Sequence, residues 1–403
     1  MPRYSVPNKN LKQFATSKSD KKKNVYKIPP EMYKIKDEIV PSPPEESPGS
    51  EKIASAFSEE YRSTSSTIYQ RNTTEKQVSL PDFKIMKQIG KGSFGTIYLV
   101  EKIDSKKIYA MKQLRKDIII KTDALLCTKL EKEVLKLVDH PFLVGLDYAF
   151  QTPTNIYFVM KYYKGGELYK HLQAKKRFPE SIARFYGAQV ALAIGELHRN
   201  NIIYRDMKPE NILLDEDGYI ALADFGLAKM IEENKAAMTF CGTPEYIAPE
   251  TIAGRGYNKS IDWWGLGVLL YEMIIGVPPF HCNNQHVLFQ YIKDKELRFP
   301  DAKHGIKITE EAMDVITKLL CKKPSERLGS KGGVEEILEH PFFKKIDVGK
   351  LLAKELKPEY KPRVASIVQS GAISRDIEEI DIKSMSLINK NQVFLSLIIE
   401  IIQ

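Results

Sequence analysis

The apolar residues of this chain change their spacing part-way along it, and that change limits the folds open to it. From Phe83 they alternate: first in "FKIMKQIG" with Phe83, Ile85 and Ile89, then in "TIYLVEK" and "KIYAMKQL" across the polar turn "KIDSKK", and later in "NIYFVMKYY". A period of two puts alternate side chains on one face of a sheet, so these segments read as strands. One helix interrupts them: "ALLCTKLEKEVLKLV" carries Leu126, Leu130, Val134, Leu137 and Val138 at helical spacing. After Tyr163 the helical period takes over, in "SIARFYGAQVALAIGELH", "SIDWWGLGVLLYEMII" and "TEEAMDVITKLL". The pattern predicts an α+β fold with a strand-rich smaller unit over residues 83–162 and a helix-rich larger unit over 163–343. No internal repeat is visible.

The flanks have a different character. Residues 1–82 show no sustained apolar period and are rich in Ser, Thr, Pro and Lys, as in "PSPPEESPGS" and "YRSTSSTIYQ". That is the composition of a disordered arm, too polar and short for a second folded module. Its first forty residues hold ten Lys/Arg against four Asp/Glu, within a net charge of +9. Such an arm is a solvated segment, or a contact for nucleic acid, acidic lipid or a nuclear import receptor. "MPRYSVPNKN" has no apolar signal core, and Pro2 excludes myristoylation. The longest apolar run, "VFLSLIIEIIQ", is interrupted by Glu400 and falls short of a membrane span. Four scattered cysteines without a CxxC point to a reducing compartment, with neither disulfides nor structural zinc. The expectation is a soluble intracellular protein, cytoplasmic or also nuclear.

Several stretches carry chemistry. "GKGSFGTI" (90–97) lies between two strands, and Gly90, Gly92 and Gly95 would let the backbone pass close over phosphate groups. The same spacing fits a dinucleotide-binding turn or a plain hairpin, but a dinucleotide turn opens a helix and here a strand continues. Lys112 shares one strand face with Ala110 and needs a counter-charge or phosphates if it is half-buried. Glu131 and Glu133 flank the helix stripe on opposite sides, and periodicity does not choose between them. "IIYRDMKPEN" (202–211) sets Asp206, Lys208 and Asn211 within six residues, either as a polar turn or as chemistry. Asp224 in "DFG" (224–226) follows the apolar "YIALA", and the glycine after Phe225 is expected to allow a sharp bend. Asp206, Asn211 and Asp224 are hard oxygen donors, which with a phosphate flap suit Mg²⁺.

The ordered set GxGxxG, "AMK", "YRDMKPEN", "DFG" and "APE" (248–250) resembles the eukaryotic protein kinases over about residues 83–343. The resemblance implies a two-lobed fold, ATP and Mg²⁺ as cofactors, and transfer of the γ-phosphate to protein hydroxyls. It implies that Asp206 is the catalytic base, that Lys208 reaches the γ-phosphate, and that Asn211 and Asp224 hold the metal. Lys112 would hold the α- and β-phosphates and pair with Glu131, which the family pattern selects over Glu133. The nucleotide would lie among Ile89, Gly90, Lys91, Gly92, Ser93, Phe94, Gly95, Thr96 and Ile97 on one side, and Ala110, Met160, Tyr162 and Leu213 on the other. "KPEN" and "GTPEYIAPE" resemble serine/threonine kinases. Tyr204 in place of the usual histidine, with "TFCGTPEYIAPE", resembles the AGC group near protein kinase B and the serum- and glucocorticoid-regulated kinases. By that resemblance Tyr204 stacks with Leu135, Leu146 and Phe225. Thr239 would be an activation-loop phosphosite filled by an upstream kinase and paired with Arg205. Glu167, Glu210 and Glu272 would bind substrate arginines, Glu250 and Arg327 would form an ion pair, and Asp262 would brace the catalytic loop. A monomer acting on basic protein substrates, with no need of nucleic acid, is implied.

Two rivals from other classes are a catalytically silent kinase-like scaffold and a basic nucleic-acid-binding protein. The first usually lacks the lysine, the loop acid or the DFG acid, and this chain keeps all three. The second rests only on the arm. The region 344–403 departs from the group's C-terminal tail: "EYKPRV" (359–364) begins it, but Asp376 or Ile377 stands where an aromatic is expected and no Thr-Pro follows.

Overall fold

The alternating segments pair into one antiparallel sheet. β1 (Phe83–Lys91), β2 (Gly95–Lys102) and β3 (Ile108–Arg115) follow one another. After the helices α1 (Lys116–Lys121) and α2 (Leu125–Leu137) come β4 (Leu146–Gln151) and β5 (Asn155–Lys161), in the order β1-β2-β3-β5-β4. The computed structural model describes residues 78–364 apart from 93–94, 123, 232–235 and 301–305. The arm up to residue 77, the tail beyond 364, and Ser93 and Phe94 lie outside the described residues.

One face of the sheet buries Phe83, Val100, Tyr109, Met111, Phe150, Tyr157 and Val159, with Val78 and Leu80 packed against them. Those last two belong to the stretch read as arm, yet Asp82 there accepts from the amide and hydroxyl of Ser79 and closes a capped turn. β1 does not keep its alternation. Bulges at Ile85/Lys87 and Gln88/Gly90 shift the register, so Met86 is buried and Ile89 comes out at the rim. β4 was not evident in the sequence because Asp147 and a bulge at Leu146/Tyr148 break so short a run.

α2 packs on the other face by only part of the stripe its sequence suggests, with Val134 and Val138 buried and Leu130 packed against the core. Leu126 is 74% exposed and Leu137 54%, whereas Leu125, Thr128, Glu131, Lys132, Val134 and Leu135 are buried. The helix is turned so that Glu131 reaches Lys112, and an apolar-only pattern gives no weight to a buried charge.

The larger unit begins with β6 (Gly166–Glu167), α3 (Leu168–Lys175) and α4 (Glu180–Arg199). β7 (Ile202–Ile203), β8 (Ile212–Leu214), β9 (Ile220–Leu222) and β10 (Lys229–Met230) carry the loops between them. α5 (Pro249–Ile252), α6 (Ser260–Ile275), α7 (Gln285–Asp294), α8 (Glu310–Leu319), α9 (Gly333–Leu338) and α10 (Val348–Leu352) complete the described elements. α6 is apolar nearly all round and is buried accordingly. α4 lies against it closely enough that a Cβ on Gly187 would come within 2.7 Å of Leu270. Beyond α10 the chain turns back along the larger unit. Lys354 pairs with Asp215 at 3.1 Å, Tyr219 donates to the carbonyl of Leu356, and the Tyr360 ring meets Phe178 edge-on.

The large unit's main buried ion pair joins Arg327 and Glu250. The guanidinium grips both carboxylate oxygens, at 2.6 and 2.9 Å, and also donates to the carbonyls of Ser260 and Cys321. Both side chains are nearly inaccessible to water, so removing one leaves the other as an uncompensated buried charge. Arg327→Ala is expected to lower unfolding stability by about 3–5 kcal/mol in urea denaturation. A loss below about 1 kcal/mol, the scale of a solvated surface pair, would show that the pair is not the buried clamp described.

Candidate active site

The catalytic-loop sequence "YRDMKPEN" is held from beneath by one carboxylate. Asp262, in the first turn of α6, accepts from the amides of Tyr204 and Arg205, both at 2.9 Å, and from His198 Nε2 at 2.8 Å. This grip fixes Arg205 at φ +68, a left-handed conformation that a long side chain rarely adopts. The Arg205 side chain is spent on the far side: Nε donates to the Leu227 carbonyl at 2.6 Å and Nη1 to the Tyr257 hydroxyl at 2.8 Å. β7 and β10 pair antiparallel, Ile203 against Lys229, so the loop and the segment after "DFG" are tied together.

With its backbone fixed, the loop turns three polar groups to one point. Asp206 Oδ2 accepts from Lys208 Nζ at 2.5 Å and from Asn211 Nδ2 at 2.8 Å, and the same amide nitrogen also donates to the Asp206 carbonyl at 2.9 Å. Asn211 thus spends its N–H groups on Asp206, which leaves its carbonyl oxygen as the donor it can offer a cation. Thr243 Oγ1 lies 3.4 Å from the other Asp206 oxygen, so the segment after Thr239 also reaches Asp206, a contact no local pattern signals.

Opposite, Lys112 on β3 makes an ion pair with Glu131 on α2 and lies 3.6 Å from Asp224 Oδ1. Glu131, not Glu133, faces the lysine, the choice that periodicity left open. Burial alone would push the Lys112 pKa down, but the charges of Glu131 and then Asp224 outweigh it and raise it. The lysine is therefore a permanent cation facing the cleft. The sharp turn at "DFG" falls on Asp224 itself, at φ +59, and not on the glycine as expected. Gly226 is needed for space: a Cβ there would come within 3.3 Å of Asp224 Oδ1.

Phe225 is buried edge-on against Tyr204, ring centres 5.9 Å apart, and Tyr204 donates to the Ala223 carbonyl. Leu135 and Leu146 belong to the same core cluster. Around the cleft Ile97, Thr96, Ala110, Met160, Tyr162 and Leu213 are all half-buried, and Ile89, Lys91 and Gly92 are exposed at its edge. At Gly95 strand packing by itself requires glycine, because a Cβ there would sit 1.7 Å from the Gln113 carbonyl of β3.

Of the three acids expected to bind substrate arginines, Glu210 is exposed and lies near Glu272 on α6. Burial, then the neighbouring Glu210 and Glu245, push the Glu272 carboxyl up, against a 2.5 Å hydrogen bond from the Tyr246 hydroxyl. Tyr246 and Glu245 in "PEY" are site residues that the sequence did not single out. Glu167, at the end of β6, has Lys170 at 3.4 Å. Thr239 is exposed, and its carbonyl accepts from the Tyr257 hydroxyl at 2.7 Å, placing it one side chain away from Arg205.

The model of the protein kinase domain matches residues 83–343, about two-thirds of the chain. The chain belongs to the protein kinase family. Protein kinase 2 of Dictyostelium discoideum is 44% identical over 314 residues, covering 78% of this chain and 62% of that protein. Serine/threonine-protein kinase sgk-1 of Caenorhabditis elegans is 46% identical, over 77% of this chain and 67% of that protein. The RAC serine/threonine-protein kinase of Drosophila melanogaster is 46% identical, over 72% and 47%. The chain therefore spans roughly half to two-thirds of the length of these relatives. Their names agree with the AGC-type resemblance read from Tyr204 and "TFCGTPEYIAPE". The family's strand-rich and helical lobes are the two units described above. Among the described residues no helix is long and apolar enough to cross a membrane.

Proposed function

We propose that this chain is a serine/threonine protein kinase that transfers the γ-phosphate of Mg·ATP to protein hydroxyls. The observation carrying this reading is the convergence of Lys112, Glu131 and Asp224 from one side of the cleft with Asp206, Lys208 and Asn211 from the other. Asp206 takes the proton of the incoming hydroxyl, whose oxygen bonds to the γ-phosphorus as the bond to the bridging oxygen breaks and ADP leaves. Lys208, beside the base, and Lys112, held by Glu131, supply positive charge where the transferring group becomes most negative. Asn211 and Asp224 are the residues to hold Mg²⁺: two hard oxygens are too few for a protein cage and suit an ion that completes its shell with phosphates and water. Bound there, the ion would neutralise the phosphate charge. A silent scaffold is disfavoured, since the lysine, the base and the DFG acid are all present and aimed at one cleft.

Activation by phosphorylation at Thr239 is the second part of the proposal. The side chain is exposed to an upstream kinase, and Arg205 is linked to it through Tyr257. The Cys241 thiol, two residues on, is pushed up by burial, and feels the positive charge of Arg205, the negative charge of Asp206 and, more weakly, the positive charge of Lys229. A phosphate with about two negative charges would find cations there and order the segment that carries Thr243 to Asp206.

The third part is a preference for arginine before the phosphorylated residue, supported by Glu210 and Glu272 with Glu245 beside them and Glu167 on the adjoining strand. Carboxylates of this kind take guanidinium in forked pairs that lysine does not reproduce.

Asp206→Ala should lose nearly all phosphate transfer to a basic peptide while still binding a fluorescent ATP analogue; full activity in that variant would sink the assignment. Thr239→Ala should be only weakly active, and mass spectrometry of the active protein should find phosphate on Thr239. An active enzyme without phosphate there would overturn the switch. Glu210→Gln should reduce the kcat/KM advantage of arginine-containing peptides over their alanine counterparts by about one to two orders of magnitude, the worth of a charge-assisted bond of ~1.5–3 kcal/mol. Because Glu272 protonates at a higher pH than an ordinary carboxylate, the same advantage should shrink as pH is lowered from about 7.5 to about 5.5. An arginine preference unchanged by both manipulations would refute the acidic subsite.

A further inference from the structure

Thr251 follows Glu250 in α5 and is 7% exposed, yet its hydroxyl has no hydrogen-bond partner among the described residues. Other threonines on helices here solve the problem locally: Thr128 donates to the Ala124 carbonyl and Thr317 to that of Met313. Thr251 lacks this recourse because the residue four before it, Ile247, is extended, at φ −70 and ψ 131, and so outside the helix. A buried hydroxyl without a partner carries its full desolvation cost, and a native protein rarely leaves one so.

Thr251 lines a cavity of about 20 Å³ that is also bounded by Arg205, Met207, Cys241, Ile247 and Asp262. A single water needs roughly 10–15 Å³ and two to four polar partners, so the space suits one water and little else. Asp262 has the capacity to be one of those partners. A carboxylate has about four acceptor sites; Oδ2 takes His198 and Tyr204, and Oδ1 takes only Arg205.

We propose that this cavity is a site for one ordered water, which bridges Thr251 Oγ1 to the Asp262 carboxylate. Thr251 is then a positioning residue, joining the end of the activation segment to the carboxylate that fixes the catalytic-loop amides. A change in how the segment from Cys241 to Thr251 is seated would reach Tyr204 and Arg205 through this water. The kinetic consequence rests on the kinase reading; the site itself does not.

A high-resolution crystal structure of the full chain should show one water within hydrogen-bond distance of both Thr251 Oγ1 and Asp262. Thr251→Val, which keeps the shape, should lose that water and speed amide hydrogen exchange at Tyr204 and Arg205 about fivefold. It should lower kcat by a similar factor with the KM for ATP unchanged, the scale set by one ordinary hydrogen bond. Thr251→Ser should restore the water, the exchange rates and kcat. An empty cavity, a Thr251 hydroxyl turned onto a protein carbonyl, or a Thr251→Val variant with wild-type exchange would each overturn the proposal. If no variant transfers phosphate, the density and the exchange rates still decide the site, and only the kinase reading fails.

Discussion

Burying a carboxylate is expensive unless donors surround it, and Asp262 turns that expense into architecture. Its two oxygens collect the amides of Tyr204 and Arg205 and the imidazole of His198, so the charge is satisfied only when the catalytic loop adopts one backbone path. That path holds Arg205 in a left-handed conformation and turns Asp206, Lys208 and Asn211 toward one point. The donors lie upstream of the reacting groups and none of them need touch a substrate. Pre-organisation of this kind lets a polar loop on the rim of a cleft behave as part of the core.

The cleft depends on a second set of constraints, those fixing the elements on either side of it. Lys112 and Glu131 compensate each other across β3 and α2, which fixes the rotation of α2 even at the cost of exposing Leu126 and Leu137. Phe225 against Tyr204 then links the DFG segment to the catalytic loop through an apolar contact. On the hinge side, His171 stands between two partners at 2.8 Å. The Gly165 carbonyl can only accept, so Nε2 donates to it and Nδ1 receives the Tyr360 hydroxyl. The returning segment 354–362 is thereby seated on the hinge. The glycines there reflect it: a Cβ on Gly218 would strike the Tyr360 carbonyl at 2.3 Å, and one on Gly165 would lie 2.8 Å from Pro362.

Where the sequence misled, the cause was in each case an interaction that local pattern does not contain. The α2 stripe was centred on Leu126, Leu130, Leu137 and their neighbours because burial was equated with apolarity, whereas an ion pair took the inner face. The bend at "DFG" was assigned to its glycine, but Asp224 bears the left-handed backbone and the glycine merely leaves room for the Asp224 carboxylate. Glu245, Tyr246, Tyr257 and His171 carried no signal, since each has a partner between 26 and 189 residues away.

By itself the sequence determined the fold class and the family, and it proposed the chemistry-bearing residues. Strand and helix periods are local, and the motifs "GKGSFG", "YRDMKPEN", "DFG" and "APE" are short and ordered, so both survive in a one-dimensional reading. Glu131 opposite Lys112 and Asp262 under the loop follow from the family resemblance and not from periodicity. What only the tertiary structure decided is Glu210 and Glu245 beside Glu272, Thr243 at Asp206, and the hydroxyl of Thr251, unpartnered among the described residues, at a water-sized cavity. Such pairings are fixed by distance and burial, which depend on how remote segments pack, and no spacing along the chain records them.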